Sequence, residues 1–325
     1  MKKISLRNPL LLFTTAVVWG VAFVAQSVGM DYVGPFTFNF ARCILGALVL
    51  VPCMFLLDIL NGKKKNNVLS EAEEEKQEKA KSGLIEKASQ IQEHGAGQQT
   101  KKTLLPGGIC CGAALFVASN LQQFGIRYTS VGKAGFITAM YIILVPVLGI
   151  FLKRRAGLRV WCGVALAVAG LYLLCMTDGS SINFGDVLLL LCAFVFAIHI
   201  LVVDYFSPKV DGVRMSCIQF LVCGLLSGVG MLLTEQVDVS AMLQAWLPIT
   251  YAGVMSCAVG YTLQIIGQKG MNPTVASLIL SFESVVSVLA GWILLGQSLS
   301  PREIGGCVLM LAAIILAQLP DREAV

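Results

Sequence analysis

Charge is scarce in this sequence of 325 residues: 13 % are Asp, Glu, Lys or Arg, against 56 % hydrophobic. Soluble domains run near a quarter charged and half apolar. Histidine is rarer still, at His94 and His199, and no cysteine stands at metal-site spacing from either. Neither HExxH nor GxSxG occurs, and no GxxxxGK[ST] loop is present to cradle a nucleotide. These gaps argue against a metalloprotease, a serine hydrolase and an ATP-driven pump, so the expectation is a protein that is not an enzyme, with no cofactor and no metal. The formal net charge of +5 is too small to propose a nucleic-acid partner. Alternation of apolar and polar residues is also missing: Val187-Leu188-Leu189-Leu190-Leu191 is continuous, whereas membrane β-strands alternate over about ten positions.

What is present is a series of ten apolar stretches, each near the roughly 20 residues that a spanning helix needs. They are predicted at about 9–28, 36–60, 106–126, 131–152, 158–175, 184–204, 213–234, 244–267, 272–295 and 302–319. The fold class expected is therefore all-α integral membrane, with ten transmembrane helices. Lys2, Lys3 and Arg7 ahead of Leu10 resemble a signal-peptide flank, but the run after them is expected to stay as the first span. All eleven cysteines fall inside predicted spans and read as small buried residues, not as a disulfide framework. Gly108/Gly112 and Gly224/Gly228 have GxxxG spacing, expected to serve helix packing within one chain.

Cationic residues concentrate in cytoplasmic loops. With the N-terminus inside, 20 of the 24 Lys and Arg fall on the cytoplasmic side, and only Arg127, Lys133 and Arg302 fall outside. Arg42 lies within a span. Both termini are thus expected in the cytoplasm of a protein of the cell (cytoplasmic) membrane. Residues 61–103 form a charged insert with nine lysines and seven glutamates, a composition that stays disordered or forms a solvated helix. A mobile linker is expected, with a short helix near 70–92 as the other option.

Residues 121–163 align without gaps on 263–305, a shift of 142 that pairs Leu121-Gln122 with Leu263-Gln264 and Gly163 with Gly305. Earlier in the chain a shift of 177 pairs Arg42 with Gln219 and Trp19 with Phe196. Residues 1–60 with 104–176, and 177–320, therefore read as two units of five spans, followed by a tail at 321–325. Five is odd, so the second unit enters the membrane from the other side. Inverted repeats of this kind favour transporters, with the substrate site at mid-membrane between the units.

Ten spans in two inverted units, with Trp19-Gly20 in the first and Arg42 in the second, resemble the EamA family of the drug/metabolite transporter superfamily. Ser281-Phe282-Glu283-Ser284-Val285, followed by Gly291 and Leu295-Gly296-Gln297, is similar to its ninth-span signature, with Ser284 where many members have Pro and Gln297 where they have Glu. The resemblance covers the chain apart from the insert. It implies a carrier of small metabolites, often amino acids, with a cavity lined by spans one to four and six to nine.

An ionisable group inside a span costs at least ~2.5–3.5 kcal/mol and needs a partner or a wet cavity. Arg42 and Glu283 are expected at similar depth, either paired with each other or facing opposite charges on a zwitterionic solute; a purely structural ion pair is the alternative. His199 either relays a proton or bonds a neighbouring helix. Asn39, Asn120, Gln123, Gln219 and Gln264 either line the cavity or bond across helices, with Trp19, Tyr141 and Tyr261 as aromatic walls. Pro146 is a candidate gating kink. The function expected is secondary transport of a small metabolite across the cytoplasmic membrane by alternating access, as export of amino acids or related or lipophilic metabolites, with a proton as the candidate coupling ion. The other readings are a membrane scaffold or sensor working through the insert, and an intramembrane enzyme.

Overall fold

The computed structural model describes residues 6–80, 92–153, 157–175, 183–296 and 300–318, with side chains left out of the description at 60–80, 92–102, 174–175 and 318. Lys2, Lys3, Arg154, Arg155, Gln297 and Arg322 lie outside it. Among the described residues every regular element is helical. Eight helical stretches are long and apolar enough to cross a membrane: Arg7–Gly29, Pro35–Ile59, Thr103–Ile126, Val131–Phe151, Phe184–Lys209, Gly212–Thr234, Trp246–Gln268 and Pro273–Leu295. They fall on eight of the ten expected runs. The other two runs are the helices α6 (Leu158–Cys175) and α14 (Pro301–Gln318), 18 residues each, which pack on one another.

Lipid offers no partner to a free backbone group, so each apolar run closes its hydrogen bonds internally. Where a run ends, side chains take over the orphan amides. Asn183 and Asp186 form a capping box on α7 (Phe184–Phe206). Asp211 caps α8 (Gly212–Thr234), and Asn272 caps α12 (Pro273–Leu280) ahead of Pro273.

Three expected spans are not single regular helices. The fourth is α4 (Val131–Ala139) and α5 (Tyr141–Phe151), interrupted at Met140. The ninth is α12 and α13 (Glu283–Leu295), interrupted at Ser281-Phe282. There the hydroxyls of Ser277, Ser281, Ser284 and Ser287 each donate to the carbonyl three residues back, at 2.7–2.9 Å. Such back-bonding competes with the helix ladder and bends it. Pro146 lies inside α5, six residues beyond the break at Met140. The eighth span is α10 (Trp246–Thr250), a π-helical stretch Tyr251–Tyr261 and α11 (Thr262–Gln268), preceded by the short α9 (Val239–Gln244).

Of the insert, residues 61–80 and 92–103 are described, and 81–91 lie outside the described residues. The backbone of α2 (Pro35–Ala80) continues as helix far past the span, and α3 (Gln92–Ile126) is helical before it. Of the two states open to a Glu/Lys-rich segment, the described parts adopt the helix. The cysteines divide as well. Cys43, Cys111, Cys192, Cys217, Cys223 and Cys257 are buried, whereas Cys53, Cys110 and Cys162 are exposed on the bundle's outer face, where a thiol is apolar enough to sit. The glycine pairs pack within the chain: Gly112 against Gln219 and Val222, and Gly224 and Gly228 against Cys43, Ile44 and Phe40.

Candidate functional site

Helix α1 (Arg7–Gly29) packs against the eighth and ninth spans. Beside it is a void bounded by one face of α1, by α2 and α3, by the broken spans and by α7. Within its walls only about 20 Å³ admits the centre of a water molecule. One water needs at least ~10–15 Å³ by that measure, so the closed arrangement holds a water or two and no metabolite.

Two ionisable side chains of opposite sign line this void, Arg42 and Glu283, both buried. Glu283 is the first residue of α13 and Tyr141 the first of α5, so each follows directly on a helix break. The Tyr141 hydroxyl donates to Glu283 Oε1 at 2.9 Å, across a sequence separation of 142. Position also favours the carboxylate, because the start of a helix carries the positive end of the dipole. Arg42 Nη1 donates to Gln26 Oε1 at 2.9 Å, its guanidinium lies 5.8 Å from the Phe38 ring centre, and its Nε has no hydrogen-bond partner. Among the described residues Arg42 and Glu283 form no ion pair with each other. The expected alternative of a structural pair is therefore not what is built; each charge is held by a neutral neighbour.

Trp19, Tyr141 and Tyr261 stand around the void. The ring centres of Trp19 and Tyr261 are 4.4 Å apart. Trp19 Nε1 donates to the Ser256 carbonyl at 3.3 Å, tying α1 to the π-helical stretch. Gln264 also faces the void, with an unpartnered buried Oε1.

The remaining expected residues are buried but face neighbouring helices and not the void. Asn39 Nδ2 donates to the Ser119 carbonyl and to Asn120 Oδ1, and Asn120 Nδ2 donates to the Phe116 carbonyl and Ser227 Oγ. Gln123 Nε2 reaches the Gln26 carbonyl at 3.0 Å. His199 Nε2 lies 3.2 Å from Gln219 Oε1, joining α7 to α8. Asp204, near the end of α7, is buried with a partner.

Several wall residues escaped the sequence reading: Gln122, Thr138, Phe23, Phe196, Ile200 and Ser256. Gln122 faces the void and approaches Thr138 at 3.4 Å, while its neighbour Gln123 points at α1. Adjacent residues on a helix sit about 100° apart, so one faces the void and the other cannot. The signal available was the shift of 142, which pairs Gln122 with Gln264.

The model of the EamA-like transporter family matches residues 7–70, 89–176 and 183–319. This chain belongs to the EamA-like transporter family. An uncharacterized transporter from Archaeoglobus fulgidus is 26 % identical over 315 residues, spanning 95 % of this chain and 84 % of that protein. A solved crystal structure superposes with a TM-score of 0.69 at 17 % identity, covering 96 % of this chain and 98 % of the other; at that identity the likeness is one of fold. EamA membership makes the protein a multi-pass membrane transporter with a small-molecule substrate.

Proposed function

We propose that this EamA protein is a secondary transporter that exports a small amphoteric metabolite, an amino acid or a close relative, across the cytoplasmic membrane by alternating access. The observation that carries the reading is the closed void holding Arg42 and Glu283, two buried opposite charges not spent on each other. A zwitterion supplies what both lack: a carboxylate for the guanidinium, whose Nε is unpartnered, and an ammonium for Glu283. Trp19, Tyr141 and Tyr261 would enclose its apolar part. The little room now present means that the helices must part to admit it. A proton is the coupling ion in this reading, taken up by Glu283 when the substrate has left.

Two inverted five-helix units suit such a cycle, with α6 and α14 as fifth and tenth spans, and packing contacts support them. Gly125 approaches the Gly185 carbonyl and Leu189, and Gly267 approaches the Asn8 carbonyl and Leu12. Every residue of the first contact lies 142 or 177 positions from its counterpart in the second. The breaks at Met140 and Phe282 are also 142 apart, as are Tyr141 and Glu283. Gly112 against Gln219 and Val222 corresponds to Gly253 against Arg42 and Leu45, but Gly112 and Gly253 are 141 apart. One extra residue thus lies between Gly253 and Gly267, where the π-helical stretch runs, and a π-turn is how a helix absorbs one. The Lys and Arg bias puts both termini in the cytoplasm.

The test compares metabolites in the medium of overexpressing and deletion cells. Transport of the accumulating compound is then measured in proteoliposomes with and without a pH gradient. Export of an amphoteric compound that Glu283→Gln abolishes is expected; unchanged transport in that variant removes Glu283 from the substrate and proton roles.

A further inference from the structure

The two ends of the helix pair α2 and α8 are held by different bonds between corresponding residues. At the Gly29 end of the bundle, the Glu235 carboxylate accepts from the backbone amides of Phe36 and Thr37, both at 2.9 Å, and from the Thr37 hydroxyl at 2.6 Å. These amides are the orphan donors at the start of α2. Gly34 just before them has no side chain to cap them, and a Cβ there would collide with the Glu235 carboxylate. At the Arg7 end, Arg214 Nη2 donates to both oxygens of Asp58 at 2.8 Å. Asp58 lies 177 positions before Glu235, and Thr37 lies 177 before Arg214. The two bonds are thus the same contact of the two units, one on each side of the membrane.

We infer that Glu235–Thr37 and Asp58–Arg214 are the outer and inner latches of the transport cycle, which rests on the alternating-access reading above. Between them α2 and α8 touch closely at mid-length, where the Cys43 and Cys223 sulfurs meet at 3.5 Å. Rocking about that contact stretches one latch as it compresses the other. The latches are unequal in this state. The outer one is a charged cap on two amides and a hydroxyl, with Thr37 buried. The inner one joins two side chains that are 42 % and 55 % exposed, where screening weakens an ion pair. Beside the inner latch lies a vestibule between α1, α2, α8 and α11, lined by Leu57, Gly212 and Val213 among others. About 410 Å³ of it admits water centres, against about 20 Å³ in the central void. The structure is therefore latched outside and leaning open inside.

Amide hydrogen exchange of the full chain in nanodiscs tests this without a substrate. Glu235→Ala should speed exchange of residues 34–40 by about tenfold or more, as expected for loss of a hydrogen-bonded charge. It should also slow exchange at 211–216 as the population moves to the outward-open state. Asp58→Ala should do the reverse, and Asp58→Arg combined with Arg214→Asp should restore the wild-type pattern. Should Glu235→Ala not fold, Glu235→Gln, which keeps one acceptor oxygen, should give the same pattern in smaller measure. Changes confined to the mutated end would overturn the latch assignment and leave the transport reading standing. A reciprocal pattern in a protein that exports nothing would uphold the latches and sink the transport reading instead.

Discussion

Two polar clusters lie inside this bundle, both buried. In one, Asn39, Asn120 and Ser227 join α2, α3 and α8, and His199 with Gln219 joins α7 to α8. In the other, Arg42 leans on Gln26 and Glu283 on Tyr141. The first bonds between neighbouring helices, leaving Asn39 Oδ1, His199 Nδ1 and Gln219 Nε2 without a partner, and does not line the central void. The second borders a void and holds two ionisable groups of opposite kind that do not pair with each other. Burial and polarity within a span therefore mark two different uses, and only the face of the helix separates them.

The sharpest way to break the comparison is to remove charge from the second cluster. Arg42→Gln is expected to lower transport about a hundredfold or more, since a hydrogen-bonded charge contributes ~1.5–3 kcal/mol and its loss leaves a substrate carboxylate unpaired; proteoliposome uptake measures it. Retention of a tenth of wild-type activity or more would return Arg42 to a packing role. Tyr141→Phe should cost less, about tenfold in substrate affinity, because Glu283 keeps its charge and loses one donor; binding titration reads it. The first cluster should behave in the opposite way. Asn120→Ala should lower stability by about 0.6–2 kcal/mol, seen as a lower Tm in detergent, while substrate affinity stays within about twofold. Smallest of all, His199→Gln should leave the pH profile of transport in place, because His199 faces Gln219 and not the void; a displaced profile would move it into the proton path.

Much of the architecture was readable from residues alone. Ten apolar runs correspond to helices because a run that does not alternate cannot join a barrel and must pair its amides within itself. Trp19, Arg42, Tyr141, Tyr261, Gln264 and Glu283 were readable as wall residues from their chemistry, and they meet around one void. The breaks were less visible: Pro146 drew attention, whereas the interruption in its span falls at Met140. In the ninth span four serines one turn apart were the local signal, and apolar content masked it. Gln122 and Gln123 were indistinguishable in a string of letters, since facing is set by how α3 is rotated against α1.

Hydrophobic length alone determined where the apolar helices run, and the internal repeat with its motifs raised the expectation of a membrane carrier, because all of these are one-dimensional properties of the chain. The tertiary structure decided which polar groups see a void, that Arg42 and Glu283 remain unpaired with each other, and that Glu235 rather than a local side chain caps α2. Those outcomes depend on the rotation and approach of helices far apart in sequence, and no spacing along a single run encodes them.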